Sequence, residues 1–215
     1  MKKAFVLFVL FALPITAYLF FSSGVNHFAK LPVLTENVKD FDAGFVSLKA
    51  ENKVQLKDKI SVLLYFGNQV ENKEGNAFNI NEEIYDKNYL FEDFQFVVVA
   101  EKGQEQAAQN LLDELSTTID TQKWNFVFTT PMQIQIHFES LKTNLQLKNG
   151  ATTHAFIIDK NRNLRGRTGE EDKSIIENYG YDTSSVAELS NVMTDDIKVI
   201  LAEYRLALKK YNKEK

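Results

Sequence analysis

The chain has 215 residues, 44% of them hydrophobic, with a net charge of −4 and no cysteine. That is enough apolar material for one core plus an appendage, and too short a chain for a second full domain. Interspersed charges leave no basic footprint, so no nucleic-acid partner is expected; the missing thiols exclude disulfides, thiolate metal sites, thiol-disulfide oxidoreductase activity and peroxidase activity.

Lys2 and Lys3 precede AFVLFVLFALPITAYLFF, a charge-free run of about 18 residues, close to the length a bilayer-spanning helix needs. No good small-residue cleavage site follows, which favours an uncleaved signal anchor over residues 1–23, embedded through residues 4–22. The positive charge at the short end outweighs Lys30 and Lys39. A single-pass protein of the cytoplasmic (inner) membrane, with its C-terminal domain on the periplasmic or extracytoplasmic side, is therefore expected. Residues 24–44 read as a tether into the domain, and His27 as an interfacial residue.

The domain is expected over 45–215. FVSLKAENKVQLKD reads as a hairpin around AENK, and Ile60–Phe66 as a buried strand that breaks at Gly67 into a polar loop, 67–76. Ile80, Ile84 and Tyr85 then follow helical spacing, with Asn79 or Asn81 as the cap. FQFVVVA is a second core strand, GQEQAAQNLLDELSTT a helix with Leu111, Leu112 and Leu115 on one side, and WNFVF a third strand. After Pro131, which suits a first helical turn, Ile134, Phe138, Leu141 and Leu145 predict a helix. HAFIID and LRGRTG flank KNRN as a fourth and fifth strand. Ser185 and Glu188 have capping-box spacing ahead of a long helix whose apolar stripe includes Ile197, Ile200, Leu201 and Tyr204, and Lys209, Lys210, Lys213 and Lys215 complement its dipole. Strands alternating with helices, then a hairpin and a helix, predict an α/β thioredoxin-like sandwich, a central mixed sheet of about five strands flanked by helices. Phe66, Val98, Phe126 and Ile157 are its expected strand core, with Ile134 and Leu201 packing from helices.

The anchor, LPVL ahead of the domain, KDKISVLLYFG and FIIDKNRNLRGR together resemble the Sco/SenC family, membrane-anchored thioredoxin-fold proteins associated with copper delivery to cytochrome oxidase. The resemblance implies a Cys-x-x-x-Cys loop after the aromatic-Gly strand end, and its two cysteine positions fall on Glu71 and Gly75. The family's third copper ligand, a histidine, falls on Ala151, with His154 nearby but out of register. Thr153 stands where a cis-proline usually precedes this strand in the wider superfamily. The fold resemblance is thus not accompanied by the family's functional residues.

Among other candidates, a residual metal site would need His154 and Glu71, with His137 or Met132, and these have no local ligand spacing. No metal and no cofactor is therefore expected. His137 flanks the apolar stripe of its helix and reads as a partly covered surface residue. Arg165 and Arg167, two apart on a strand, share a face and read either as a solvated face balanced by GEED at 169–172 or as an anion or partner contact. No catalytic residues emerge, and the chain is not expected to be an enzyme. The first reading is a non-catalytic, Sco-like interaction or assembly-accessory module with an unknown protein partner, its contact surface being loop 67–76 with 150–154. The alternative is a residual copper-binding metallochaperone for respiratory oxidase assembly using His154 and oxygen ligands. A third places the interaction face around Arg165 and Arg167.

Overall fold

Side chains alternate along a strand, so a single sheet with apolar residues at successive positions must be covered on both faces. In the computed structural model, which describes residues 2–23, 30–49, 53–168 and 179–213, the strands are β1 (Val33–Thr35), β2 (Val46–Ser47), β3 (Ile60–Gly67), β4 (Phe94–Glu101), β5 (Trp124–Thr129), β6 (Ala151–Ile158), β7 (Leu164–Arg165) and β8 (Tyr181–Asp182). They form one sheet in the order β1-β7-β6-β3-β4-β5-β2, with β8 paired to β6. β3, β4 and β5 are parallel and β6 returns antiparallel beside β3. Two parallel crossovers followed by an antiparallel return make this a mixed, thioredoxin-like α/β fold.

The sheet has 8 strands rather than about five. β1, β2 and β8 are ladders of two or three residues, too short to carry a period; β2 and β8 pair beside the longer β5 and β6 and β1 beside the two-residue β7, each taking up backbone groups left open there. The expected hairpin over 45–58 is also corrected: Val46 pairs with Phe128 of β5, and residues 53–59 form no strand. The domain begins before Phe45, since β1 lies within the expected tether and Leu31 and Val38 are buried.

The helices are α1 (Lys2–Ser23), α2 (Glu74–Ile80), α3 (Asp86–Asn88), α4 (Glu105–Leu115), α5 (Pro131–Glu139), α6 (Val186–Glu188) and α7 (Thr194–Lys213). A π-helical turn, Asn81–Tyr85, joins α2 to α3, and another, Leu189–Met193, joins α6 to α7. Thr130 caps α5 by accepting from the Gln133 N–H, with Pro131 in the first turn as the sequence predicts. The capping box at α6 is half formed: Ser185 Oγ accepts from Glu188 N, but Glu188 Oε1 accepts from Asp182 N.

Val62, Leu64 and Phe66 face one core with Trp124, Phe126, Ile157 and the helices ending in α7, while Leu63 and Tyr65 face a second with Ile134, Phe138 and Phe156. The expected core residues Phe66, Val98, Phe126, Ile157, Ile134 and Leu201 are all buried.

α1 contains Pro14, and its described side chains run without a charge from Phe8 to Tyr18. Among the described residues no helix is long and apolar enough to cross a membrane, so the anchor stays an expectation from sequence. Ala50–Asn52 of the AENK turn, His27, the GEED stretch and Lys215 lie outside the described residues, as do the side chains of Lys209, Lys210 and Lys213.

Candidate functional site

The chain leaves β3 through Gly67, which adopts φ +52; a Cβ there would stand 2.3 Å from the Asn149 carbonyl oxygen and 2.5 Å from the Gly150 carbonyl carbon. Only a residue without a side chain lets the end of β3 touch the Asn149–Gly150 turn that feeds β6. The polar stretch after it is shorter than the sequence suggests. Val70 is fully buried, and helical structure starts at once with a 3-10 turn over Glu71–Lys73 leading into α2. Most of the expected loop 67–76 is therefore the opening of a helix, closed down by the burial of Val70.

Glu71 is exposed in that first turn, where a carboxylate complements the helix dipole. Gly75 is exposed on α2, and a Cβ at Gly75 would meet nothing within 4 Å. Ala151, at the third implied ligand position, is the buried first residue of β6.

His154 is half-buried in β6, its Nδ1 3.3 Å from Thr152 Oγ1 and 3.4 Å from Thr153 Oγ1. Across the ladder lies Asp182 of β8. From the other side, Asn76 Nδ2 donates to Thr183 Oγ1 and Asn79 Nδ2 to the Thr183 carbonyl, which itself follows Asp182. Burial works against the Asp182 carboxylate, but the Ser184 backbone and hydroxyl, His154 and Thr153 together outweigh it and hold the pKa below the ordinary value. Burial lowers the Lys73 pKa, and Asp182 opposes that shift. Asp182 thus lies across the ladder from His154 and acts electrostatically on Lys73. The 182–184 turn, which carries no recognisable motif, is the element sequence reasoning missed. Among the described residues no hydrogen bond or ion pair joins Glu71 to His154, and no group of three or more His, Asp or Glu side chains is placed to hold a metal.

Arg165 and Arg167 do not form a free strand face. Arg165 is buried, donating from Nε to the Leu31 carbonyl at 2.7 Å and from NH1 to Asp159 at 3.0 Å, and pairing through NH2 with Glu203 at 2.8 Å. Arg167 donates through both Nε and NH2 to Asp196, whose other partner is the Tyr181 hydroxyl. These hydrogen bonds raise the Arg167 pKa further. Their spacing showed a shared face, but not the acidic residues of α7 and the 159–163 turn that meet them.

His137 is buried rather than partly covered. It stacks on Phe41 at 4.8 Å, and its Nδ1 is 2.7 Å from the Tyr65 hydroxyl, while Nε2 has no hydrogen-bond partner among the described residues. Burial lowers its pKa to about 4, against the opposing pull of the Lys39 backbone. Its place between Ile134 and Phe138 on the apolar stripe was the available signal. Because the folded pKa lies below the unfolded value of about 6.5, the unfolded chain takes up the proton first. Stability should therefore be lost as pH falls from about 6.5 to about 4, with a slope approaching about 1.4 kcal/mol per pH unit from this residue. Denaturant titrations across that range should show this slope in the parent and its loss in His137→Gln; an unchanged slope would mean that other groups carry it.

No protein-family profile and no curated protein matches the chain. Solved structures similar to it include a candidate protein disulfide isomerase from Bacteroides thetaiotaomicron, at 14% identity over 81% of this chain and 95% of that one with a TM-score of 0.49. Copper-bound ScoI of Arabidopsis thaliana is 13% identical over 74% of this chain and 97% of its own, at a TM-score of 0.46. The soluble domain of Sco1 from Bacillus subtilis is 11% identical over 77% of this chain and 92% of its own, also at 0.46. These neighbours are Sco-family and thioredoxin-fold proteins, and at such identities and TM-scores their activities do not carry over to this chain.

Proposed function

We propose that this chain is a non-catalytic, Sco-like thioredoxin-fold domain, held by residues 1–23 at the outer face of a cytoplasmic membrane, that acts by binding another protein. Its contact surface is the sheet end formed by residues 67–76, 150–154 and the 182–184 turn. What carries the reading is the chemistry at this end: Glu71 and Gly75 stand at the two thiol positions of the resemblance, one a solvated carboxylate and the other bare backbone with open space around it. Neither supplies a soft ligand or a nucleophile. What the surface does present is hydrogen-bonding and charged groups, Lys73, Asp182 and His154, fixed on a rigid sheet and helix, which suits recognition. Support for the anchor comes from the apolar run after Lys2 and Lys3.

The test is quantitative crosslinking of the full-length protein to its neighbours in intact membranes, with Glu71→Ala and His154→Ala compared with the parent. Glu71→Ala, an exposed change, should melt within about 0.5 kcal/mol of the parent and His154→Ala, half-buried in β6, within about 1.5 kcal/mol, while crosslinked partner falls about tenfold in both. Unchanged crosslinking would move the contact surface elsewhere. Parent copper affinity that drops in both variants would favour a metallochaperone instead.

A further inference from the structure

α7 runs along one face of the sheet in a direction fixed by its side-chain contacts. Asp196 meets Arg167, Glu203 meets Arg165, and the ring of Tyr204 lies under Lys160 Nζ at 5.4 Å. Arg165 pairs with Ile157 and Lys160 follows β6, so α7 travels toward the C-terminal end of β6, away from Ala151 and the Gly67 end. The helix continues through Lys213.

The charge carried by that continuation is unlike the rest of the chain. Residues 205–213 contain Arg205, Lys209, Lys210 and Lys213 and no acidic residue, a net charge of +4 in a protein whose total is −4. Complementing a helix dipole takes only the cations of the last turn, so this run exceeds what the helix itself requires.

The same helix is tied to the chain that emerges from the apolar N-terminal run. The Arg165 guanidinium holds the Leu31 carbonyl and Glu203 together, so a single buried side chain fixes both. Leu31 is eight residues beyond Ser23, at most about 29 Å of extended chain, and the helix from Tyr204 to Lys213 projects roughly 14 Å further.

We infer that the basic C-terminal part of α7 docks on anionic lipid headgroups and so orients the domain with its Gly67–His154 end turned away from the membrane. This rests on the anchor reading above. The attraction of each basic residue to an anionic surface is modest, and would not hold a free protein firmly. Tethering changes that, because an anchored domain meets the surface at high effective concentration, and the remaining acidic bulk is repelled from it. Basic helix end and acidic remainder therefore select the same orientation.

The absence of native cysteine makes the test direct, since a single thiol can be installed anywhere. Full-length protein carrying Asn212→Cys or, at the opposite end, Asn68→Cys is labelled with a fluorophore and reconstituted into phosphatidylcholine vesicles, with or without phosphatidylglycerol, that contain a headgroup quencher. Quenching at position 212 should be at least about threefold stronger with phosphatidylglycerol and revert at about 1 M salt, where screening shortens to about 3 Å; position 68 should not respond. Replacing Arg205, Lys209, Lys210 and Lys213 by Gln should abolish the response without changing the melting curve. Equal quenching in both lipids, or stronger quenching at position 68, overturns the inference. Carbonate extraction separates the two readings: release of the protein removes the anchor and this inference with it, whereas retention without a lipid-dependent response overturns the docking alone.

Discussion

Gly67→Ala should cost at least about 4 kcal/mol or prevent folding, an effect of the size reserved for backbone conflicts in a core. The added methyl would stand 2.3 Å from the Asn149 oxygen and 2.5 Å from the Gly150 carbon, and both are main-chain atoms, which cannot rotate away as a side chain would. Its φ of +52 adds the ordinary penalty of a left-handed residue. Relief would require separating β3 from the start of β6, and with it the Phe66–Ala151 pairing. Gly75→Ala is the natural comparison, because its Cβ would meet nothing within 4 Å and alanine is the better helix former. That variant should be as stable as the parent or up to about 1 kcal/mol more so. Denaturant midpoints of the pair decide the matter: Gly67→Ala within about 1 kcal/mol of the parent would mean the two backbones do not touch.

Arg165→Met should lose about 3–5 kcal/mol, since it leaves the buried Asp159 carboxylate without its cation and the Leu31 carbonyl without its donor. Arg167→Met should lose less, because that side chain is 31% exposed and its Asp196 partner keeps the Tyr181 hydroxyl. Combining Arg165→Met with Asp159→Asn should recover part of the loss, as the stranded charge is then gone. A cost below about 1 kcal/mol for Arg165→Met, measured by urea unfolding, would instead fit a solvated strand face and sink the assignment.

Long periodic segments were legible because their pattern is dictated locally. Continuous apolar runs at 62–66 and 96–100, short and rich in β-branched and aromatic residues, read as strands covered on both sides, and the Pro131 and Ser185 starts follow from cap chemistry that needs no distant partner. The thioredoxin-like order follows from those segments alone. Short strands were not legible: β1, β2 and β8 exist because a neighbouring ladder has open hydrogen-bonding groups, and nothing within two or three residues encodes that neighbour.

The site divided along the same line. By itself the sequence determined that no thiol chemistry is available and that Glu71 and Gly75 occupy the positions where the resemblance expects it. Only the tertiary structure decided which side chains stay exposed at this end of the sheet. Arg165 and Arg167 look like an available pair until α7 and the 159–163 turn bring Asp196, Glu203 and Asp159 against them. His137 looks partly solvated until the segment holding Phe41 and Phe45 folds over it. In the opposite direction, the 182–184 turn has no motif of its own, yet it inserts between α2 and β6 and brings Asp182 to His154. The physical reason is common to all three: periodicity, caps and missing functional groups are properties of consecutive residues, whereas burial and charge pairing depend on residues 6 to 134 positions away that only the folded chain makes neighbours.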